Sequence, residues 1–283
     1  MGGVFENPNE LAVNLALIFP FCLAFLLGTH NPWSKAAWAL VMALLGYMVM
    51  ITYSRSGFLV LLTAVGVCVW EFGLKGRRPY LVVLVAIAGL AILLLSSPAQ
   101  YAARIASIFY PEIEAAQDLG SSAVRRELLS LGLANTANNP FFGIGPGNFV
   151  VVSGLWRSTH NTYLQLSSEA GIPALILFLL ILWSSFSNIR RTLQLTRGQV
   201  KHQLLGGALR AALISFMVGA FFTDFAYHFV PYFLVGYCSA HYQIARTSAT
   251  RMAQSSQTTR AKTDVGRKLY GRDDKPKMAW TAE

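Results

Sequence analysis

His160 stands in the stretch "THNTYLQLSSEAGIPALILFLLILW" (159–183), beside Asn161, with Glu169 further on and a long apolar run behind. Histidine suits general-base work near neutral pH, because its unperturbed pKa is about 6.5. Asn161 can orient such a base or bind a sugar hydroxyl. A lone loop histidine is also commonly incidental, and this stretch alone leaves both readings open. Arg55, in "MITYSRSGFLV" (50–60), interrupts an otherwise apolar stretch. A charge within a membrane costs at least about 2.5 kcal/mol, so it usually faces a cavity and marks function. The alternative is a hairpin arginine that snorkels to the surface. Arg125 and Arg126 open "RRELLSLGLANTANNP" (125–140), in the first turn of an expected helix where the dipole favours acids. They either snorkel to lipid phosphates or hold an anion. Two or three guanidinium groups can bind a diphosphate through bidentate, charge-assisted hydrogen bonds. A neighbouring base can then deprotonate an acceptor hydroxyl. Asp224 and His228, in "FFTDFAYHF" (221–229), carry less weight.

These residues need a scaffold, and composition says which kind. Of 283 residues, 54% are hydrophobic and only 13% charged, with mean hydropathy +0.46. A soluble domain carries about a quarter charged residues. About 20 apolar residues cross a ~30 Å hydrocarbon core as a helix, and lipid obliges the backbone to satisfy its own polar groups. The expected fold class is therefore an all-α polytopic membrane protein with about seven transmembrane helices: 10–28, 36–53, 57–73, 80–97, 171–188, 205–223 and 227–245. Four units follow: an N-terminal four-helix membrane part (1–97), an outer loop with amphipathic helices (98–170), a C-terminal three-helix membrane part (171–245) and a disordered basic tail (246–283).

Charge sets the orientation. The net charge of +10 falls in "KGRRP" (75–79), "NIRRTLQLTRGQVKH" (188–202) and the tail, with Lys35 as a weaker contributor. That is the pattern of cytoplasmic connections and lipid-facing basic segments, not of a nucleic-acid binder. Segment 98–170 then lies outside, with four arginines against five acidic residues and no positive bias. Arg55, Arg125 and His160 share that outer side. The same assignment leaves the N-terminus outside without a signal peptide, so either the first span inserts with its N-terminus out or, the favoured expectation, the chain lacks an odd number of upstream helices. Cys22, Cys68 and Cys238 fall inside apolar runs without metal-ligand spacing. "FFGIGPGNF" (141–149) reads as a structural glycine-proline turn rather than a dinucleotide fingerprint.

In order and spacing, "NPNELA", "SRSG", "SSAVRRELL…NNPFFGIGPGNF" and "HNTYLQLSSEAGIPA" resemble the O-antigen ligase/O-antigen polymerase superfamily over about residues 1–245. The resemblance implies a bacterial inner-membrane enzyme with a large periplasmic loop. It implies metal-independent, inverting transfer of a glycan from a polyprenyl-diphosphate-linked donor, with no cofactor. The acceptor is lipid A-core in ligases and another lipid-linked glycan in polymerases. Residue by residue, it implies that His160 activates the acceptor hydroxyl while Arg55 and Arg125 hold the diphosphate. Arg126, Asn161, Glu169 and Asp224 are expected substrate-binding residues. Two departures loosen the subgroup: Leu129 stands where an aromatic is common, and Pro173–Ala174 replace a second glycine. Competing readings are a membrane transporter, since bicarbonate carriers have been assigned to the same superfamily, and an inactive fragment. Transport would place polar or broken helices near the bilayer midplane, whereas these candidates cluster at one surface.

Overall fold

The computed structural model describes residues 7–76, 78–80 and 121–270. Among them the secondary structure is helical: α1 (Pro8–Gly28), α2 (Pro32–Ile51), α3 (Arg55–Cys68, continued by a π turn Val69–Leu74), α4 (Ser121–Asn138), α5 (Phe149–Val152), α6 (Thr162–Glu169), α7 (Gly171–Leu195), α8 (Val200–Gly219) and α9 (Phe229–Tyr270). The expected span 80–97, apart from Tyr80, and segment 98–120 lie outside the described residues.

Local chemistry explains where the helices start. Asn7 caps α1 by accepting from Asn9 N, and Asn31 caps α2 by accepting from Trp33 N. Each cap is followed by proline at the first helical position, which needs no N–H partner there. Between α2 and α3 the chain breaks at Thr52–Ser54, with Tyr53 at φ +51°. Ser54 then caps α3 by accepting from Gly57 N at 3.0 Å. The apolar stretch around Arg55 is thus two helices, with Arg55 the first residue of the second.

Helix α8 is the hub, packed against α1, α3, α7 and α9. Its small residues let neighbours approach closely. A Cβ on Gly219 would lie 2.9 Å from Val13 and 3.2 Å from Val60; one on Gly207 would lie 2.6 Å from Phe72. Small-residue packing of this kind substitutes for the hydrophobic drive that lipid does not supply. The fully buried Phe216, Leu213, Leu209, Val13 and Val60 fill the space between.

Among the described residues, four helices are long and apolar enough to cross a membrane: α1, α2, α3 with its π turn, and α7. The expected spans at 205–223 and 227–245 are helices α8 and α9 but are not among those four. Lys201, His202, Gln203 and Arg210 lower the hydropathy of α8, which its neighbours rather than lipid largely enclose. The tail differs from the sequence reading: α9 runs unbroken to Tyr270, so residues 246–270 are helical rather than disordered. The packed first half of α9 already carries the cost of nucleation, and propagation through Ala, Gln, Arg and Lys is then easy.

Candidate active site

The topology gathers one set of helix ends. The starts of α1, α3, α7 and α9 and the end of α8 lie together, with α6 lying against them. His160 immediately precedes α6. Asn161 caps that helix, its Oδ1 accepting from Tyr163 N and Leu164 N, both at 3.0 Å. The turn between α8 and α9 is stitched to the same helix. Thr162 N donates to Ala220 O at 2.8 Å, and its hydroxyl donates to Thr223 O at 2.7 Å while accepting from Phe225 N at 3.0 Å. Ala226 N donates to Gln165 Oε1, and Tyr163 Oη donates to Met217 O.

That stitching delivers Asp224 to His160. The carboxylate is 8% exposed. Its Oδ2 lies 3.2 Å from His160 Nδ1 and accepts from Ser158 Oγ at 2.6 Å. Its Oδ1 accepts from Thr159 Oγ1 at 2.7 Å and from Asn161 N at 3.3 Å. Burial alone would raise the Asp224 carboxyl. The hydrogen bonds from His160, Ser158 and Thr159, with the charge of His160, outweigh burial and hold the pKa below its ordinary value. A carboxylate on Nδ1–H fixes the neutral tautomer and leaves the basic lone pair at Nε2, on the far side of the ring. The His160 side chain is 30% exposed, so this ring is anchored on one side and accessible. Its backbone takes φ +49°, a left-handed conformation costing about 1–3 kcal/mol outside glycine and one that concentrates at functional sites.

Glu169 closes the other end of α6. It is 2% exposed, and its carboxylate accepts from Gly147 N at 2.9 Å and Phe149 N at 3.2 Å. Tyr227 lies beside the same carboxylate. The glycine turn is clamped from below as well, with Ile144 N on Ser168 O and Gly145 N on Glu169 O. Gly143, at φ +63°, passes so close that a Cβ would lie 2.3 Å from the Glu169 carbonyl carbon.

Arg55 occupies the same end of the bundle. Beside it, Ser54 Oγ donates to Asn9 Oδ1 at 2.6 Å, tying the start of α3 to the first turn of α1. Glu10, next to Asn9, has its Oε2 3.9 Å from His228 Nε2, and His228 packs on Phe225, the neighbour of Asp224. Arg125 and Arg126 are exposed on α4. That helix is held to α6 along one stripe: Leu128 is fully buried, Gly132 faces Leu164, and Thr136 Oγ1 lies 3.0 Å from Ser167 Oγ.

The structure therefore joins His160, Asn161 and Asp224 directly and sets Arg55 at the same end. It commits the Glu169 carboxylate to the glycine turn and the Asn161 carbonyl to a helix cap. Sequence reasoning passed over Ser158 and Thr159, which grip Asp224, and Asn9, which holds the "SRSG" turn. The "NPNELA" and "STHNT" wording carried that signal, since Asn, Ser and Thr are the cap and turn formers. The sequence model of a family described as O-Antigen ligase matches residues 38–179, half of the chain. The match includes Arg55, Arg125, Arg126, His160, Asn161 and Glu169 and stops short of Asp224. A search of curated proteins returns no match.

Proposed function

The chain belongs to the O-antigen ligase family of multi-pass membrane proteins, and from that premise we propose a glycan transfer with His160 as its base. The donor is a polyprenyl-diphosphate-linked glycan, and the acceptor is a hydroxyl on lipid A-core or on another lipid-linked glycan. His160 Nε2 takes the proton from the acceptor hydroxyl as its oxygen attacks the anomeric carbon. The bond from that carbon to the diphosphate oxygen breaks, and the polyprenyl diphosphate leaves with the electron pair. Attack opposite the leaving group inverts the anomeric centre and needs no metal. Arg55 and Arg125, with Arg126 beside it, balance the charge that grows on the diphosphate. Asp224 keeps Nδ1 protonated and stabilises the imidazolium that forms, the division of labour found in other base–carboxylate pairs.

The observation that carries this reading is the buried, four-donor cradle of Asp224 behind His160. A histidine of no consequence would not require a carboxylate held this way. In the proposed arrangement about seven helices span the inner membrane, and the face bearing His160 is periplasmic, opposite the basic connections. Asn161 and Glu169 serve by positioning: the first caps α6 under the base, the second fixes the glycine turn beside it.

The test is complementation of a strain lacking this gene, read as surface polysaccharide on a gel alongside the level of membrane-inserted protein. His160→Ala and Arg55→Ala, inserted at wild-type levels, are expected to lose the polymeric glycan. Unchanged glycan in both variants would overturn the assignment.

A further inference from the structure

The end of the bundle remote from His160 holds a concave site. It is a cavity of about 430 Å³ lined by Glu71, Phe72, Lys75, Arg78, Gln203 and Arg210, with Leu193, Gly198, Val200 and Leu204 completing its walls. That volume lies within the ~300–1,000 Å³ range of small-molecule sites. The lining comes from the π turn after α3, the chain that follows it, the end of α7, Gly198 in the α7–α8 connection and the first half of α8.

Its charge is unbalanced. Three cations face one carboxylate. Glu71, with a side chain 10% exposed, already serves two of them: Arg210 Nη1 lies 2.8 Å from Oε1, and Lys75 Nζ lies 3.1 Å from the same oxygen. Among the described residues no carboxylate pairs with Arg78. The lining thus keeps a net surplus of two positive charges, beside apolar walls from Phe72, Leu193, Val200 and Leu204. Gln203 is not a free anion donor, because its Nε2 is spent on Leu193 O and Thr196 O. The recruiting groups are Arg78 and the half-exposed Lys75, which shares the Glu71 oxygen with the more buried Arg210. A π turn in this position adds weight, since such turns are rare and concentrate at functional sites.

We propose that this cavity binds the phosphate head group of an anionic phospholipid. The cations take the phosphate, while the glycerol and first acyl carbons lie along the apolar wall. Basic pockets between membrane helices hold anionic head groups in this way, each Lys or Arg near the surface adding about 1 kcal/mol, or roughly fivefold in affinity. The bound lipid would brace α3, α7 and α8 at the end opposite the chemistry. The proposal does not depend on the reaction assigned to His160.

The test uses the full chain in neutral detergent micelles, titrated separately with phosphatidylglycerol, phosphatidylethanolamine and inorganic phosphate. Phosphatidylglycerol is expected to give a saturable rise in Tm of about 5 °C, and native mass spectrometry to count a retained lipid. The Lys75→Gln/Arg78→Gln double variant is expected to keep its lipid-free Tm and need roughly 25-fold more phosphatidylglycerol for the same rise. An equal rise with phosphatidylethanolamine, or an unchanged titration in the double variant, would overturn the site. An equal rise with inorganic phosphate would overturn its assignment to a lipid.

Discussion

At the scale of single residues, the decisive relation is between His160 and a carboxylate far away in sequence. Asp224 follows Asn161 by 63 residues, and no local pattern links it to the histidine. His160 drew attention through the outer side it shares with Arg55 and Arg125 and through the ordered motifs, not through its own stretch; its partner was not legible, because only the stitching of Thr162 and Gln165 to the α8–α9 turn brings it close. Asp224→Asn should keep the shape of the cradle but lose the charge that fixes the tautomer. Transfer is expected to fall by about 10²–10⁴-fold at unchanged protein level, measured as initial rate on a lipid-linked donor. Asp224 also predicts an acid limit. Its folded pKa lies below the ordinary value of 3.8, so its contribution to stability is complete only above that value. As pH falls through the folded value the contribution is lost. A series of thermal melts should therefore show wild type losing stability there while Asp224→Asn loses less.

At the scale of elements, α6 is a short helix with both ends in use. Asn161 serves its start under the base, and Glu169 at its end receives two backbone N–H groups of the glycine turn. Glu169→Ala should strand those donors and destabilise the fold by about 1–3 kcal/mol, seen as a lower Tm, whereas Glu169→Gln keeps acceptor capacity and should lose less. Helix α4 was legible as a unit, because its stop at Pro140 is a local signal. Its partner was not: the Leu128–Gly132–Thr136 stripe could as well have faced lipid. Gly132→Leu would drive a side chain into Leu164 and is expected to cost about 1–3 kcal/mol by overpacking. If α4 holds Arg125 for the diphosphate, that variant should also weaken donor binding while leaving the His160–Asp224 pair intact.

At the scale of the whole molecule, the arrangement makes a two-sided prediction. Phe142, 88% exposed, belongs to the end that carries His160, and the exposed Arg197 belongs to the opposite end. Cys22, Cys68 and Cys238 are all buried. In intact cells a membrane-impermeant thiol reagent should label Phe142→Cys without permeabilisation and Arg197→Cys only after it. The reverse pattern would invert the proposed topology. The helical character of the chain was legible from apolar run length. The central place of α8 was not, because its polar and small residues hide a buried helix behind modest hydropathy. The length of α9 escaped for the opposite reason: residues past Arg246 lack an apolar face, yet they extend a helix that is already nucleated.

The reach of Asp224 back to His160 also bears on the order in which the protein is made. Synthesis runs from the N-terminus, and domains fold as their residues emerge. His160, Asn161 and α6 are therefore complete while the segment carrying their carboxylate is still unmade. Only when the ribosome has passed Asp224, and α8 has entered beside α1 and α3, can the ring acquire its orienting partner. On the proposed function, a nascent chain that stops short of Asp224 would carry His160 without its orienting carboxylate, so transfer would wait until α8 and α9 are in place.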